Sequence, residues 1–437
     1  MMPRISRLAI LLLPLACSPK DESESQTPSA NAQGPALTEE LTYYADIKPI
    51  LEQNCVNCHR VGGIAPFSLE DTNTALRLHK AIAHATQTRA MPPWLAGPGC
   101  QDYANDRSLS EEAIQALGAW SAAGAPAGDP VDYVAPPPQP EQLSRVDREL
   151  MPLESYVPKP RTNDYRCFII DWPDTSTQYI TGAGVQPGQP EIVHHVIAYR
   201  VPPQLLGAVK AMDEAKAGPG YTCFGGPLEG GKNLPQIAHW APGSMGRDLP
   251  AGTGLKVEPG SKIVMQVHYH TEHGTNPADR SKLLLKLDAS VDKEAFVVPF
   301  TNSDWVNNHT MLIPAGQNNV IHAYGAPFTQ YAASFTGGQL SASAPLKIYS
   351  SALHMHLLGQ STRLHVERKD GARGCLLDIP RWDFHWQSSY VLKETMTVNP
   401  GDRLNLECRF NNPGPKDVNW GEGTEDEMCI GFVYVSP

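Results

Sequence analysis

Residues 191–201 read EIVHHVIAYRV, and residues 261–271 read SKIVMQVHYHT. In both, apolar side chains recur at alternate positions, the period of a strand with one buried face. EAFVVPF at 294–300 repeats the pattern, so the region beyond residue 145 reads as β-sandwich. The histidines lie inside these strands. Successive strand side chains point to opposite faces, so Gln266, His268 and His270 share one face. His354 and His356 do the same in SALHMHLLGQ at 351–360, with Leu353, Met355 and Leu357 expected to pack inward on the other side. Adjacent His194 and His195 point oppositely in a regular strand. Both reach one ion only if the backbone distorts, or if the two rings use different nitrogens. A lone strand histidine is commonly a structural residue, but three His-rich strand positions in one region point to metal. GEGTEDEMCIGFVYV at 421–435 adds Met428 beside Cys429.

The chain has 437 residues and a net charge of −11, with 41% hydrophobic and 19% charged residues. That length implies several domains, the composition is globular, and the charge argues against a nucleic-acid partner. The start, MMPRISRLAILLLPLAC, places Arg4 and Arg7 before an apolar run too short to span a bilayer. It resembles a bacterial lipoprotein signal, which implies lipidation at Cys17, although Pro14 departs from the usual leucine there. Ser18 follows, so the expected address is the periplasmic face of the cell envelope, at the outer membrane. Residues 18–41 read as a flexible tether and 128–147 as a Pro-rich linker.

CVNCH at 55–59 is the attachment signature of c-type haem: Cys55 and Cys58 supply thioether sulfurs and His59 the proximal iron ligand. A redox dithiol would sit in an alternating strand–helix pattern, and a zinc half-site needs a second ligand pair. The segment lacks both. YYADIKPILEQN at 43–54 is amphipathic at helical spacing, and SLSEEAIQALGAWSAAG at 108–124 has a Ser110 cap and an apolar face of Ile114, Leu117 and Trp120. Residues 42–127 thus resemble a small cytochrome c. Met91, in the proline-rich RAMPPWLAG, is the expected sixth ligand, with His79 and His84 as rivals.

Four motifs occur in order: HHV at 194–196, QVHYH at 266–270, HMHLLG at 354–359 and EDEMC at 425–429. They resemble the copper type II, ascorbate-dependent monooxygenases, a family that includes peptidylglycine α-hydroxylating monooxygenase and dopamine β-monooxygenase. AHWAPG at 238–243 and GDRLNLECRF at 401–410 support the likeness. The resemblance implies two tandem copper domains, set here at 148–292 and 293–437. It assigns His194, His195 and His268 to an electron-storing copper, and His354, His356 and Met428 to the copper where oxygen reacts. A soft thioether favours Cu(I). It further implies a Cys408–Cys429 disulfide, with Cys167–Cys223 a plausible second pair and Cys100–Cys375 left by elimination.

The expected fold is therefore multidomain: a signal peptide at 1–17, a small all-α cytochrome c domain, then two tandem antiparallel β-sandwich (jelly-roll-like) copper domains. The expected function is an exported copper monooxygenase that hydroxylates an activated C–H bond of a small substrate with O2. Its cofactors are two copper ions and one covalent haem c. A periplasmic donor or ascorbate-like reductant feeds the haem, which passes electrons to the His194 copper and then to the His354 copper. The alternative is a non-catalytic haem and copper electron-transfer or copper-holding lipoprotein. Peptide-amidating relatives hold their substrate with an arginine where this chain has Ala352 and a tyrosine where it has Phe432, so the peptide substrate does not carry over. His239, His270, His273, His309, His322, His365 and His385 have no family role and are expected at the surface or in structural contacts.

Overall fold

A computed structural model describes residues 40–61, 63, 65–104, 106–136, 143–160, 163–223, 226–228, 234–240, 246–271, 276–421, 423 and 425–437. The signal peptide, Cys17, nearly all of the tether, the middle of the Pro-rich linker, His273 and the end of AHWAPG lie outside them.

Short helices lie at Tyr43–Ile47, Lys48–Asn54, Thr72–Arg77, His79–Gln87 and Glu111–Ala122, joined by loops. Ser110 caps the last helix by accepting from the Ala113 amide at 3.2 Å, as its sequence position implies. Ile114, Leu117 and Trp120 are buried against Tyr43, Ile47, Leu51 and Ile82 in one small core. Among the described residues no helix is long and apolar enough to cross a membrane.

The rest is mostly antiparallel β-structure in two sandwiches, with one short parallel pair, Lys293–Glu294 on Thr253–Val257. The first stacks a five-stranded sheet, running Tyr221–Thr222, Asp164–Asp171, Lys262–Tyr269, Val193–Val201, Gln236–Trp240, on a six-stranded one built around Gln178–Gln186 and Lys282–Asp288. Strand parity decides what each face does. Ile263, Met265, Val267 and Tyr269 enter the sandwich core with Val196, Ala198, Phe168 and Ile170. Val264 turns outward with Cys167, Tyr199 and Val201, into a second, smaller apolar cluster. Gln266 and His268 share its parity.

The second sandwich pairs Phe296–Phe300, Ile430–Ser436, Leu346–His354 and Ser389–Val398 in one sheet, with Asn318–Pro327, Arg403–Asn411, Gly359–Glu367 and Arg373–Ile379 in the other. Its core holds Leu353, Met355, Leu364, Leu406 and Val433. Leu353 and Met355 pack inward as expected, but Leu357 is 53% exposed. The strand ends at His354, so alternation no longer governs three residues later. All three disulfides form: Cys100–Cys375, Cys167–Cys223 and Cys408–Cys429.

Candidate metal centres

Strand Val193–Val201 pairs with Lys262–Tyr269 in register, His195 opposite His268, and the pairing slips by one residue between Val193 and His195. Such a bulge re-aims side chains. Val193 and Val196 both enter the core, which leaves His194 and His195 turned to the same outer face as His268. The backbone distortion that two adjacent histidine ligands require is therefore present.

The three imidazoles converge through a single type of nitrogen. His195 Nδ1 lies 3.2 Å from His194 Nδ1 and 3.2 Å from His268 Nδ1, and all candidate ligand atoms fall within 4.8 Å of one another. His268 Nε2 is 2.7 Å from Asn163 Oδ1. Donating there leaves Nδ1 as a bare lone pair, the tautomer a metal needs. Tyr165, the cross-strand partner of His268, stacks on its ring at 4.0 Å and 7°. Burial, with the neighbouring imidazoles, holds His195 and His268 well below the ordinary histidine value and His194 at about 4. The rings are thus neutral at physiological pH. These donors, neutral and convergent, fit a late first-row metal such as copper.

The second cluster is assembled differently. His354 ends its strand, with Nδ1 2.5 Å from Gln387 Oε1. His356 turns Nδ1 onto the Asp426 carbonyl at 3.0 Å, and the two rings lie 5.0 Å apart. Burial pushes His354 down to about 3. Met428 is buried beside Cys429, on the loop that the Cys408–Cys429 disulfide anchors. The carboxylate of Glu427, itself fully buried, joins the two halves. It accepts from the His356 amide at 2.9 Å, the Leu358 amide at 2.5 Å and the Met428 amide at 3.2 Å. Burial raises this carboxyl to about 7 despite those donors. Two imidazoles and a thioether fit copper in its reduced state.

Both clusters lie beside Phe384. Phe384 stacks 5.9 Å from His194 and lies 6.0 Å from His356. His385 and His270 each come within 6.2 Å of His194. His239 is solvent-accessible, yet burial by the surrounding protein, then His354 and Arg247, lowers its imidazole to about 4. It lies 6.4 Å from His195. His239, His270 and His385, expected to be surface or structural, therefore border the site. Phe384, Gln387, Asn163 and Tyr165 carried no sequence signal apart from the position of Tyr165 two residues before Cys167 in the strand Asp164–Asp171.

At the haem motif, Cys55 and Cys58 form no disulfide. Burial and Cys58 push Cys55 up to about 12, the opposite of an activated redox cysteine. His59 Nδ1 meets the Phe67 carbonyl at 3.2 Å, which leaves Nε2 available as a metal ligand. Val61 is 86% and Phe67 38% exposed, apolar surface that a macrocycle would cover. The residues present therefore fit the group. Met91 is partly buried and His84 exposed on its helix. His79 Nδ1 is tied to Ser121 Oγ at 2.9 Å, its ring against Trp120.

Fold and site together define a protein of two tandem β-sandwiches with two histidine clusters on either side of Phe384. Residues 151–276 match the N-terminal domain, and residues 307–436 the C-terminal domain, of copper type II ascorbate-dependent monooxygenases. The two matches span more than half of the chain, and it belongs to that family. It is 25% identical over 272 residues to DBH-like monooxygenase protein 1 of Mus musculus, covering 58% of this chain and 40% of that protein. The human protein of that name is 26% identical over 277 residues. Dopamine beta-hydroxylase of Rattus norvegicus is 24% identical over 351 residues, covering 75% of this chain and 52% of that protein. The chain thus spans about half or less of the length of these relatives.

Proposed function

We propose that the chain is a copper monooxygenase of the bacterial envelope that hydroxylates an activated C–H bond of a small substrate with O2. Electrons would come from a haem c on Cys55 and Cys58, refilled by a periplasmic or ascorbate-like reductant. Cys17 would carry the lipid that holds the protein to the outer membrane. The observation that carries the reading is the convergence of three imidazoles, with His195 Nδ1 3.2 Å from the Nδ1 atoms of His194 and His268, beside a phenyl ring, Phe384, that also meets His356.

His194, His195 and His268 would hold one copper, and His354, His356 and Met428 the other; His59 and Met91 would hold the haem iron. Bound copper supplies one-electron redox chemistry and O2 activation, and bound haem a one-electron store. The polypeptide does the rest. Burial keeps the imidazoles deprotonated and able to ligate. Asn163, Gln387 and the Asp426 carbonyl orient His268, His354 and His356, the second shell such a site requires. Phe384 would place an apolar ring between the two clusters.

Ala352 and Phe432 are direct partners across paired strands, so the two positions that distinguish this chain from the peptide-amidating enzymes lie side by side and are both apolar. That supports a substrate recognised without a carboxylate clamp at those positions. The test uses the full-length copper-loaded protein. Two coppers per haem, and oxygen uptake coupled to a hydroxylated product, are expected. One copper, or zinc, would sink the two-site reading; oxygen uptake without product would leave a haem and copper electron carrier.

A further inference from the structure

Residues 94–104 follow the helix that ends at Gln87, yet they pack into the C-terminal sandwich. Leu95 and Tyr103 belong to its core, with Trp94 and Ala96 against it. The Gly97 amide donates to the Asp378 carbonyl at 2.8 Å, Ala104 to Val391 at 2.7 Å, and Lys393 returns a bond to Asp102 at 2.9 Å. Gln101 Nε2 donates to the Cys375 carbonyl at 2.7 Å. The Cys100–Cys375 disulfide closes the strap. Three residues after Met91, Trp94 meets the ring of Tyr390 edge-on at 4.8 Å, and Tyr103 lies 5.3 Å from the same ring.

Tyr390 is 1% exposed, and its phenol oxygen accepts from the Leu95 and Ala96 amides. From Tyr390 two short paths lead to His354. Three residues back along the chain is Gln387, whose Oε1 lies 2.5 Å from His354 Nδ1. Across the sheet Tyr390 pairs with Ser351, three residues before His354. Electron tunnelling weakens steeply with gap width and survives best through bonded or tightly packed atoms, which this strap supplies without an intervening water layer.

We propose that Trp94 and Tyr390 form the conducting link from the haem-bearing segment to the His354/His356/Met428 site, so that electrons from the haem arrive there and not first at the His194/His195/His268 cluster. This rests on the haem and copper reading above and changes the order expected from sequence. Each transfer moves one electron and breaks no bond: iron goes from ferrous to ferric and copper from cupric to cuprous, with a one-electron envelope reductant restoring the iron.

The test uses full-length, copper-loaded protein without oxygen. A photoreduced flavin semiquinone delivers one electron to the haem, the haem α-band reports its re-oxidation, and freeze-quenched EPR shows which cupric signal disappears. Trp94→Leu and Tyr390→Leu should slow re-oxidation by about tenfold or more, with the resting haem spectrum and cupric hyperfine pattern unchanged. Trp94→Phe keeps the packing and should give an intermediate rate, which decides the matter if Trp94→Leu does not fold. His195→Ala should leave the rate unchanged. Re-oxidation that stops in His195→Ala but proceeds normally in the Trp94 and Tyr390 variants overturns this route while leaving the haem reading intact. A protein with no pyridine haemochrome band overturns both.

Discussion

The two histidine clusters solve one problem in contrasting ways. The His194/His195/His268 centre is written into strand register: two paired strands, one bulge, and three rings on a common face. The His354/His356/Met428 centre is gathered from the end of one strand and a loop some seventy residues later. It depends on groups that bind no metal, the Glu427 carboxylate and the Cys408–Cys429 disulfide. A centre inside a sheet is held by the ladder that makes the fold, whereas a centre between segments needs its own braces.

The largest effect expected from that contrast is at Glu427. In Glu427→Gln one acceptor oxygen remains where two served at least three backbone amides, and an amide N–H₂ faces a backbone donor. Leaving buried donors unmade costs about 1–3 kcal/mol, so the thermal midpoint should fall. X-ray absorption of the cuprous protein should show a weakened sulfur shell, with the nitrogen shell of the other centre intact. A sulfur shell of full strength would mean that Met428 is positioned without Glu427.

Asn163→Ala should act on the other side of the comparison and more gently. Loss of an outer-shell partner typically weakens a metal site about 10–100-fold. Copper affinity of the His194/His195/His268 centre should drop on that scale, with the thioether centre unaffected and the melting temperature nearly unchanged. Equal losses at both centres would break the idea that each has its own second shell.

The smallest effect is in pH. His194 is held at about 4, so between pH 7 and 5 copper has no proton to displace there, and that centre's affinity should stay flat. Ordinary histidines would begin to compete below about pH 6.5. Glu427 sits at about 7. As pH falls through 7 its carboxylate takes up a proton and loses its negative charge, so copper binding at the neighbouring centre should weaken. Titration of cuprous affinity over that range separates the two, and parallel curves would contradict the assignment.

The histidine pairs were legible because their period is local: a two-residue spacing in an apolar run places side chains on one face whatever the tertiary structure. Met428 came from motif order. The Cys408–Cys429 pairing was implied by the family resemblance, Cys167–Cys223 was a plausible second pair and Cys100–Cys375 was left by elimination; all three form. Leu357 was misread because alternation was carried past the strand end at His354. His239 and His385 are exposed, as expected of surface residues, but no pattern in one strand tells that they stand beside a histidine cluster.

The sequence by itself determined the strand faces, the ligand types, the haem motif and the family, all properties of neighbouring residues or of motifs in order. Only the tertiary structure decided that both histidine clusters meet Phe384, that Glu427 braces one of them, and that Trp94 reaches Tyr390. Those contacts join residues tens to hundreds of positions apart. They are fixed by burial and hydrogen bonding between segments, which leave no periodic trace in either segment alone.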